Sequence, residues 1–307
     1  MRSTGSRYQV FTDAQWERIE PLLPSNQGRR GHPFGEHRRV VEGIAYRYRT
    51  GVPWRDLPRE QFGPWQTVWK RHRRYAADGT WDRVLTQVLA EADAAGMIDW
   101  AVSVDATIAR AHQHATNTTR PDQDTGAGAN HKKLPLDEVE PPGHGIGRSR
   151  GGLTTKIHHA VDGRGRPLAA IVTGGQRNDG AVLAQVLAEI QIPRLGAGAA
   201  RARPEAVIAD RAYATGVIRN ELRRRRITAV IPEKRDQIAA RARRGSRGGR
   251  PPAFDAQAYR GRNVVERHFA LAKQWRGDCG LTQPAGVVAA ALLLRRIAHH
   301  QQIEEPR

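Results

Sequence analysis

The chain has 307 residues, with 50 Lys and Arg against 31 Asp and Glu, which gives a formal net charge of +19. A charge that positive concerns partners rather than fold, and nucleic acid is the partner whose condensed counterions Lys and Arg displace. A single cysteine, Cys279, excludes an internal disulfide framework and a Cys-based zinc cluster.

Met1–Gln9 is polar and basic with no apolar leader core, and the longest apolar stretch, Ala285–Leu294, is too short to span a bilayer. The expectation is a cytoplasmic, nucleoid-associated protein with no membrane role.

Residues 1–95 read as an all-α domain. Thr12-Asp13-Ala14-Gln15 is a capping-box pattern that opens a helix expected to stop near Pro21 and Pro24. Glu36–Arg49 places Val40, Val41, Ile44, Ala45 and Tyr48 at helical spacing, and Gly51-Val52-Pro53 breaks it. Trp65–Tyr75 is a third helix, with Val68, Trp69 and His72 on one side and Lys70, Arg71, Arg73 and Arg74 around the rest. Trp81–Ala95 is a fourth. Short helices, tight breaks and a basic third helix fit a helix-turn-helix-like DNA reader, with Arg71 and Arg74 as phosphate contacts. A plain helical domain with solvated arginines is the alternative.

After Gly96 the texture changes to an α/β domain over residues 96–300. Strands are expected at Trp100–Asp105, Thr154–Val161 and Pro167–Thr173, the last two joined through the turn Asp162-Gly163-Arg164-Gly165. A helix at Asp179–Ile190, a strand at Ala206–Asp210, a helix at Gly216–Arg226, a short strand at Ile227–Ile231 and a helix over Tyr259–Lys273 follow. That order is ribonuclease H-like, and in such a fold the first and the post-hairpin strand lie side by side. Residues 116–150 and 235–252 read as flexible: the first is polar with Gly and Pro, and the second carries Arg241-Ala242-Arg243-Arg244-Gly245-Ser246-Arg247.

Three carboxylates stand out. Apolar runs lead straight into Asp105 and Asp210 with no glycine turn after them, and Glu266 sits within the last helix. An isolated Asp at a strand end is more often a turn or cap residue, as Asp162 and Asp179 illustrate. Brought together, the three could surround a pair of Mg²⁺ ions, which prefer oxygen ligands and keep several waters; Mn²⁺ is a possible substitute. With Tyr259 set to zero and about 100° per residue, Arg262, Glu266 and Lys273 fall within a stripe of about 60°. A solvated helix face is the ordinary meaning of such a stripe. The functional meaning has Glu266 closing a metal site while Arg262 and Lys273 hold DNA phosphates.

Tyr259, two residues, Arg262, three residues, Glu266, six residues and Lys273 reproduce the Y-(2)-R-(3)-E-(6)-K signature of bacterial insertion-sequence DDE transposases. Thr50–Pro58, Phe62–Val68, Val104-Asp105-Ala106-Thr107, Gly147–His158 and Ala209-Asp210-Arg211-Ala212-Tyr213 resemble other segments of the same group, in the same order. The resemblance covers about residues 10 to 276 and is closest to the fifth insertion-sequence family and its relatives. It implies metal-dependent cleavage at element ends, then attack of the freed 3′ hydroxyl on target DNA. Asp105, Asp210 and Glu266 would be catalytic metal ligands, and Tyr259, Arg262, Lys273 and Lys156 would meet DNA. The implied partners are double-stranded DNA, both terminal inverted repeats and target, and a second copy of the chain when DNA-bound. After Trp275-Arg276-Gly277 the segment Asp278–Pro284 departs from the family pattern. A non-catalytic, sequence-specific DNA-binding protein or an inactive transposon remnant therefore stays open beside the enzyme.

Four histidines, His112, His114, His158 and His159, suit phosphate contact better than a transition-metal site. Trp275 fits either an extruded base or the core. The glycines between Gly143 and Gly152 lack the Lys-Ser/Thr ending of a P-loop.

Overall fold

The computed structural model describes residues 7–25, 36–110, 145, 147–150 and 152–275. His112, His114, Cys279, the Asp278–Pro284 departure, the apolar 285–294 stretch and nearly all of 116–150 lie outside the described residues.

Helix α1 (Asp13–Ile19) starts on the expected capping box: Gln15 N–H donates to Thr12 Oγ1 and Thr12 N–H to Gln15 Oε1. Helix α2 (His37–Thr50) ends where Gly51 takes the left-handed backbone, φ 78°, that terminates helices cheaply only at glycine. A short α3 (Arg59–Phe62), α4 (Trp65–Ala77) and α5 (Thr80–Ala94) complete the helical part. Helix α4 buries Val68, Arg71, His72 and Tyr75, positions spaced three or four apart that form one stripe. At its centre the buried His72 imidazole is hydrogen-bonded by the Tyr48 hydroxyl (2.9 Å) and Trp81 Nε1 (3.3 Å).

The second half is a six-stranded sheet. Its strands are β1 (Ala101–Arg110), β2 (Gly147–Ser149), β3 (Gly152–Val161), β4 (Pro167–Gly174), β5 (Ala206–Ala209) and β6 (Thr228–Val230). β4, β3 and β1 are antiparallel neighbours, with the short β2 pairing the start of β3; β1, β5 and β6 are parallel. Three antiparallel strands continued by two parallel ones is the ribonuclease H-like order. Asp162 is the turn residue its sequence suggested, accepting the N–H groups of Arg164 and Arg166.

Helix α6 (Asp179–Ala188) links β4 to β5 and α7 (Gly216–Arg224) links β5 to β6; Asn178 and Thr215 cap them. One apolar cluster runs from Phe11 and Trp16 through Tyr48 and Trp81 to Val102, Val182 and Val207, so helices and sheet share a core. No helix among the described residues is long and apolar enough to cross a membrane.

Three local expectations are corrected. β1 runs past Asp105 to Arg110, because β3 pairs with it over that length. Residues 235–252, expected to be flexible, carry helix α8 (Arg235–Arg243) and a 3-10 turn. α8 buries no residue; an Arg241–Glu233 ion pair and a hydrogen bond from Gln237 to the Ala214 carbonyl (2.5 Å) dock it. The helix read over Tyr259–Lys273, in which Gly261 is a poor interior residue that can leave Tyr259 ahead of the helix proper, is two, α9 (Ala256–Arg260) and α10 (Asn263–Lys273), interrupted at Gly261-Arg262.

Burial, reinforced by Arg47, pushes His72 down to about 3, so it stays neutral in the folded protein while the unfolded chain protonates near the ordinary histidine value of 6.5. Stability from this group is therefore complete above pH 6.5 and declines as pH falls towards 3, with a slope approaching about 1.4 kcal/mol per pH unit. Urea unfolding followed from pH 7 to 4 should show a steeper loss for the wild type than for His72→Gln.

Candidate active site

The parallel pairing of β1 with β5 places the first two carboxylates. Val104 pairs with Ala209, the last residue of β5, so Asp105 and Asp210 are the next residue on each of two neighbouring strands. Beyond them β1 keeps only its β3 neighbour, and the sheet opens. Asp210 turns into a 3-10 turn, Arg211–Tyr213, and caps it by accepting the Ala212 N–H at 2.7 Å. That is the cap role the ordinary reading of a strand-end Asp gives, and it uses one carboxylate oxygen.

Helix α10 supplies the third. It docks on β3 through Val264, Val265 and Phe269 against Val161, where each buried side chain contributes about 1.5–3 kcal/mol. A buried contact between His159 Nδ1 and His268 Nε2 (2.8 Å) fixes its rotation. His159 is the cross-strand partner of Asp105, and directly paired residues share a face. Glu266, two residues before His268, lies on the other side of α10 from that contact, and its link to Asp105 is made through Arg262.

Arg262, the residue before α10, makes the join. Its guanidinium donates to Asp105 Oδ2 at 2.5 Å and to Glu266 Oε1 at 2.6 Å, across 157 sequence positions in the first case. Its side chain is 16% exposed and that of Asp105 20%, which strengthens this pair relative to a surface bridge, whereas Glu266 is 58% exposed. Burial raises the Asp105 carboxyl above its usual range; the Ala106 N–H and Arg262 oppose the rise, and Asp210 and Asp179 add to it. The centre is thus a set of carboxylates whose mutual repulsion one arginine relieves.

The remaining sequence candidates are placed unevenly. Tyr259 packs against Phe254 in a tilted pair with ring centroids 5.3 Å apart, and its carbonyl accepts the Arg262 N–H. The break at Gly261 takes Tyr259 off the α10 axis, so the single stripe of four becomes an aromatic beside a three-residue row. Lys273 is the exposed last residue of α10, about 10 Å along the axis from Glu266. Lys156, 13% exposed, donates to the Arg177 carbonyl (2.7 Å) and lies 3.0 Å from Asp179 Oδ1, so it faces its own chain. Arg71 is buried against Tyr75, to whose hydroxyl it donates at 3.3 Å; the expected phosphate contact does not survive, because Arg71 lies on the buried stripe of α4. Arg74 is exposed beside Asp78. Trp275 packs against the core.

Two residues passed over in the sequence join the centre. Asp179, which looked like a helix-start charge, acts on Asp105 and carries Lys156 beside it. Tyr213 is buried with its phenol raised first by burial, then by Asp179, Asp105 and Asp210. Only the Ala209–Tyr213 motif hinted at the tyrosine, and nothing local marked Asp179.

Residues 97–299 match the Transposase DDE domain family. The chain belongs to the DDE transposase family. Its N-terminal residues 11–85 match a second family, DUF4096, described as a transposase of the IS4/5 family. The chain is 39% identical over 108 residues to an "Insertion element IS402 uncharacterized 16.2 kDa protein" of Burkholderia cepacia, which covers 33% of this chain and 74% of that protein. It is 38% identical over 109 residues to "Uncharacterized protein y4sN" of Sinorhizobium fredii (strain NBRC 101917 / NGR234), over 35% of this chain and 82% of that one. Among solved structures it is similar to a pre-cleavage Mos1 transpososome, at 12% identity, TM-score 0.25, and 92% and 83% coverage of the two chains. The Mos1 strand transfer complex gives 14% identity, TM-score 0.25, and 87% and 81% coverage.

DDE transposases generally use divalent cations, and the donor set here suits that: Asp105, Asp210 and Glu266 offer only hard oxygen ligands. Among the described residues no three or more His, Cys, Asp or Glu groups stand in a metal-holding arrangement. The Arg262 guanidinium is bonded to both Asp105 and Glu266, so its positive charge lies between those two carboxylates.

Removing that arginine leaves two carboxylates facing each other. Arg262→Ala should cost about 1–3 kcal/mol in EDTA, read by urea unfolding. Arg262→Lys should recover only part, because a point charge cannot reproduce the two-armed contact.

Proposed function

We propose that the transposase cuts DNA at the ends of an insertion element and joins the freed ends to target DNA, with Asp105, Asp210 and Glu266 holding Mg²⁺, or Mn²⁺ in its place. The observation that carries this is the side-by-side placement of Asp105 and Asp210 at the end of the β1–β5 pairing, with Glu266 tied to the same point through Arg262. When bound, a pair of such ions activates the attacking oxygen and stabilises the leaving oxygen.

The protein's own residues do the rest. Asp210, braced by its cap, and Asp105, braced by the Ala106 N–H, keep their carboxylates in fixed orientation. Arg262 is the mobile member: with DNA at the site, a phosphate can take its guanidinium in a two-armed contact and release Asp105 and Glu266. Lys273 lies two helical turns further along α10 and is placed for a more distant phosphate. Residues 1–95 form the element-end reading domain and 96–300 the catalytic one. In the first, Lys70, Arg73 and Arg74 are the exposed cations of α4 that face DNA. Joining two element ends calls for two copies of the chain on DNA, acting in the cytoplasm at the nucleoid.

The Arg262 bridge also favours a second reading, a DNA-binding protein without catalysis, since Asp105 and Glu266 already share a cation of the chain itself. Cleavage separates the two. Asp105→Asn should lower Mg²⁺-dependent nicking of element-end DNA by more than about 100-fold, the loss expected of a ligand when its outer-shell supports alone are worth 10–100-fold, with DNA binding nearly intact. Full nicking by the variant, or binding without nicking by the wild type, rejects the catalytic reading.

A further inference from the structure

Tyr213 Oη, Arg262 Nε and Asp179 Oδ1 are among the buried polar atoms around the acidic centre that have no hydrogen-bond partner. They come from the turn after β5, the approach to α10 and the start of α6. Asp179 Oδ1 has the Lys156 ammonium at 3.0 Å and His158 Nδ1 at 3.7 Å, so its charge already has company within the chain. Arg262 has its other nitrogens engaged. Tyr213 alone leaves its whole polar group unused. Its residue is 1% exposed, and its ring belongs to the main apolar cluster. Packing therefore explains the ring and leaves the hydroxyl without a purpose.

A buried hydroxyl without a partner costs about 1–3 kcal/mol relative to one that is satisfied. Phenylalanine would fill the same space without that cost. Such groups in a folded protein answer to an absent ligand or water, and here the surroundings say what kind. Tyr213 ends the turn that Asp210 caps, and Asp179, Asp105 and Asp210 all act on its phenol, so a cation drawn to those acids comes to the neighbourhood of the hydroxyl.

We infer that Tyr213 is a positioning residue of the cation site: its hydroxyl donates a hydrogen bond to the oxygen shell of the divalent ion held by Asp105 and Asp210. The inference rests on the metal assignment made above. It assigns a role to a residue outside the acidic trio and gives the 3-10 turn a purpose. The cap that Asp210 places on this turn orients the carboxylate and the tyrosine together, so the two enter the site as one unit.

The test is Mn²⁺ binding by the full-length protein, read by electron paramagnetic resonance of the free ion, for the wild type, Tyr213→Phe and Asp105→Asn. Thermal unfolding in EDTA is run beside it. Tyr213→Phe should melt in EDTA at or above the wild-type temperature and bind Mn²⁺ about 10–100-fold more weakly. A residue that only packs the core would not move Mn²⁺ affinity. Wild-type affinity in Tyr213→Phe, with affinity lost in Asp105→Asn, overturns this inference alone. A lower melting temperature of Tyr213→Phe in EDTA also overturns it, because the hydroxyl would then have a structural partner. Equal Mn²⁺ binding by the wild type and Asp105→Asn overturns the metal assignment, and this inference with it.

Discussion

The register between β1 and β5 controls the rest of the site. Parallel strands pair evenly, so once Val104 is set against Ala209 the next side chains on both strands are neighbours. A one-residue slip would turn Asp105 or Asp210 to the opposite face. The register is held by burial on both sides: Val102, Val104, Val207 and Ala209 are almost wholly buried in the core that also takes in the N-terminal helices. Packing far from the carboxylates thus fixes the distance between them.

Convergence has an electrostatic consequence. Carboxylates brought together in a half-buried place repel, and the fold meets this with Arg262 and, on the far side, with Lys156 beside Asp179. Both cations come from segments that also position an acid. Arg262 opens the helix that bears Glu266, and Lys156 is three residues from His159, the cross-strand partner of Asp105. The centre is only partly neutralised by groups of its own chain, and Arg262 has in the phosphate backbone of DNA a competing partner of the right shape.

Much of this was legible in the residues. Capping at Thr12, the glycine stop after α2, the hairpin turn at Asp162 and the apolar strands of the sheet are local signals, decided within a few positions. The spacing of Arg262 and Glu266 was legible too, because an i,i+4 pair meets on any helix and its entry. Arg71 was misjudged for a reason that generalises. A long side chain in a basic run looks solvated, yet its place on the α4 stripe beside Val68 and Tyr75 buries it. Residues 235–252 were misjudged differently: their composition forbids a core, but α8 needs none, since an ion pair and one hydrogen bond to the Ala214 carbonyl hold it on its neighbours.

The sequence by itself determined most of the elements and the charge that calls for DNA, and it singled out three acids as candidates, because those readings depend on residue type and short-range periodicity. Only the tertiary structure decided that Arg262 stands between Asp105 and Glu266, that Asp179 and Tyr213 border the same space, and that Lys156 and Arg71 turn inward. Each of those facts joins residues far apart in the chain. Such contacts are set by the packing of β1, β5, α6 and α10 on one another, which no local window of residues encodes.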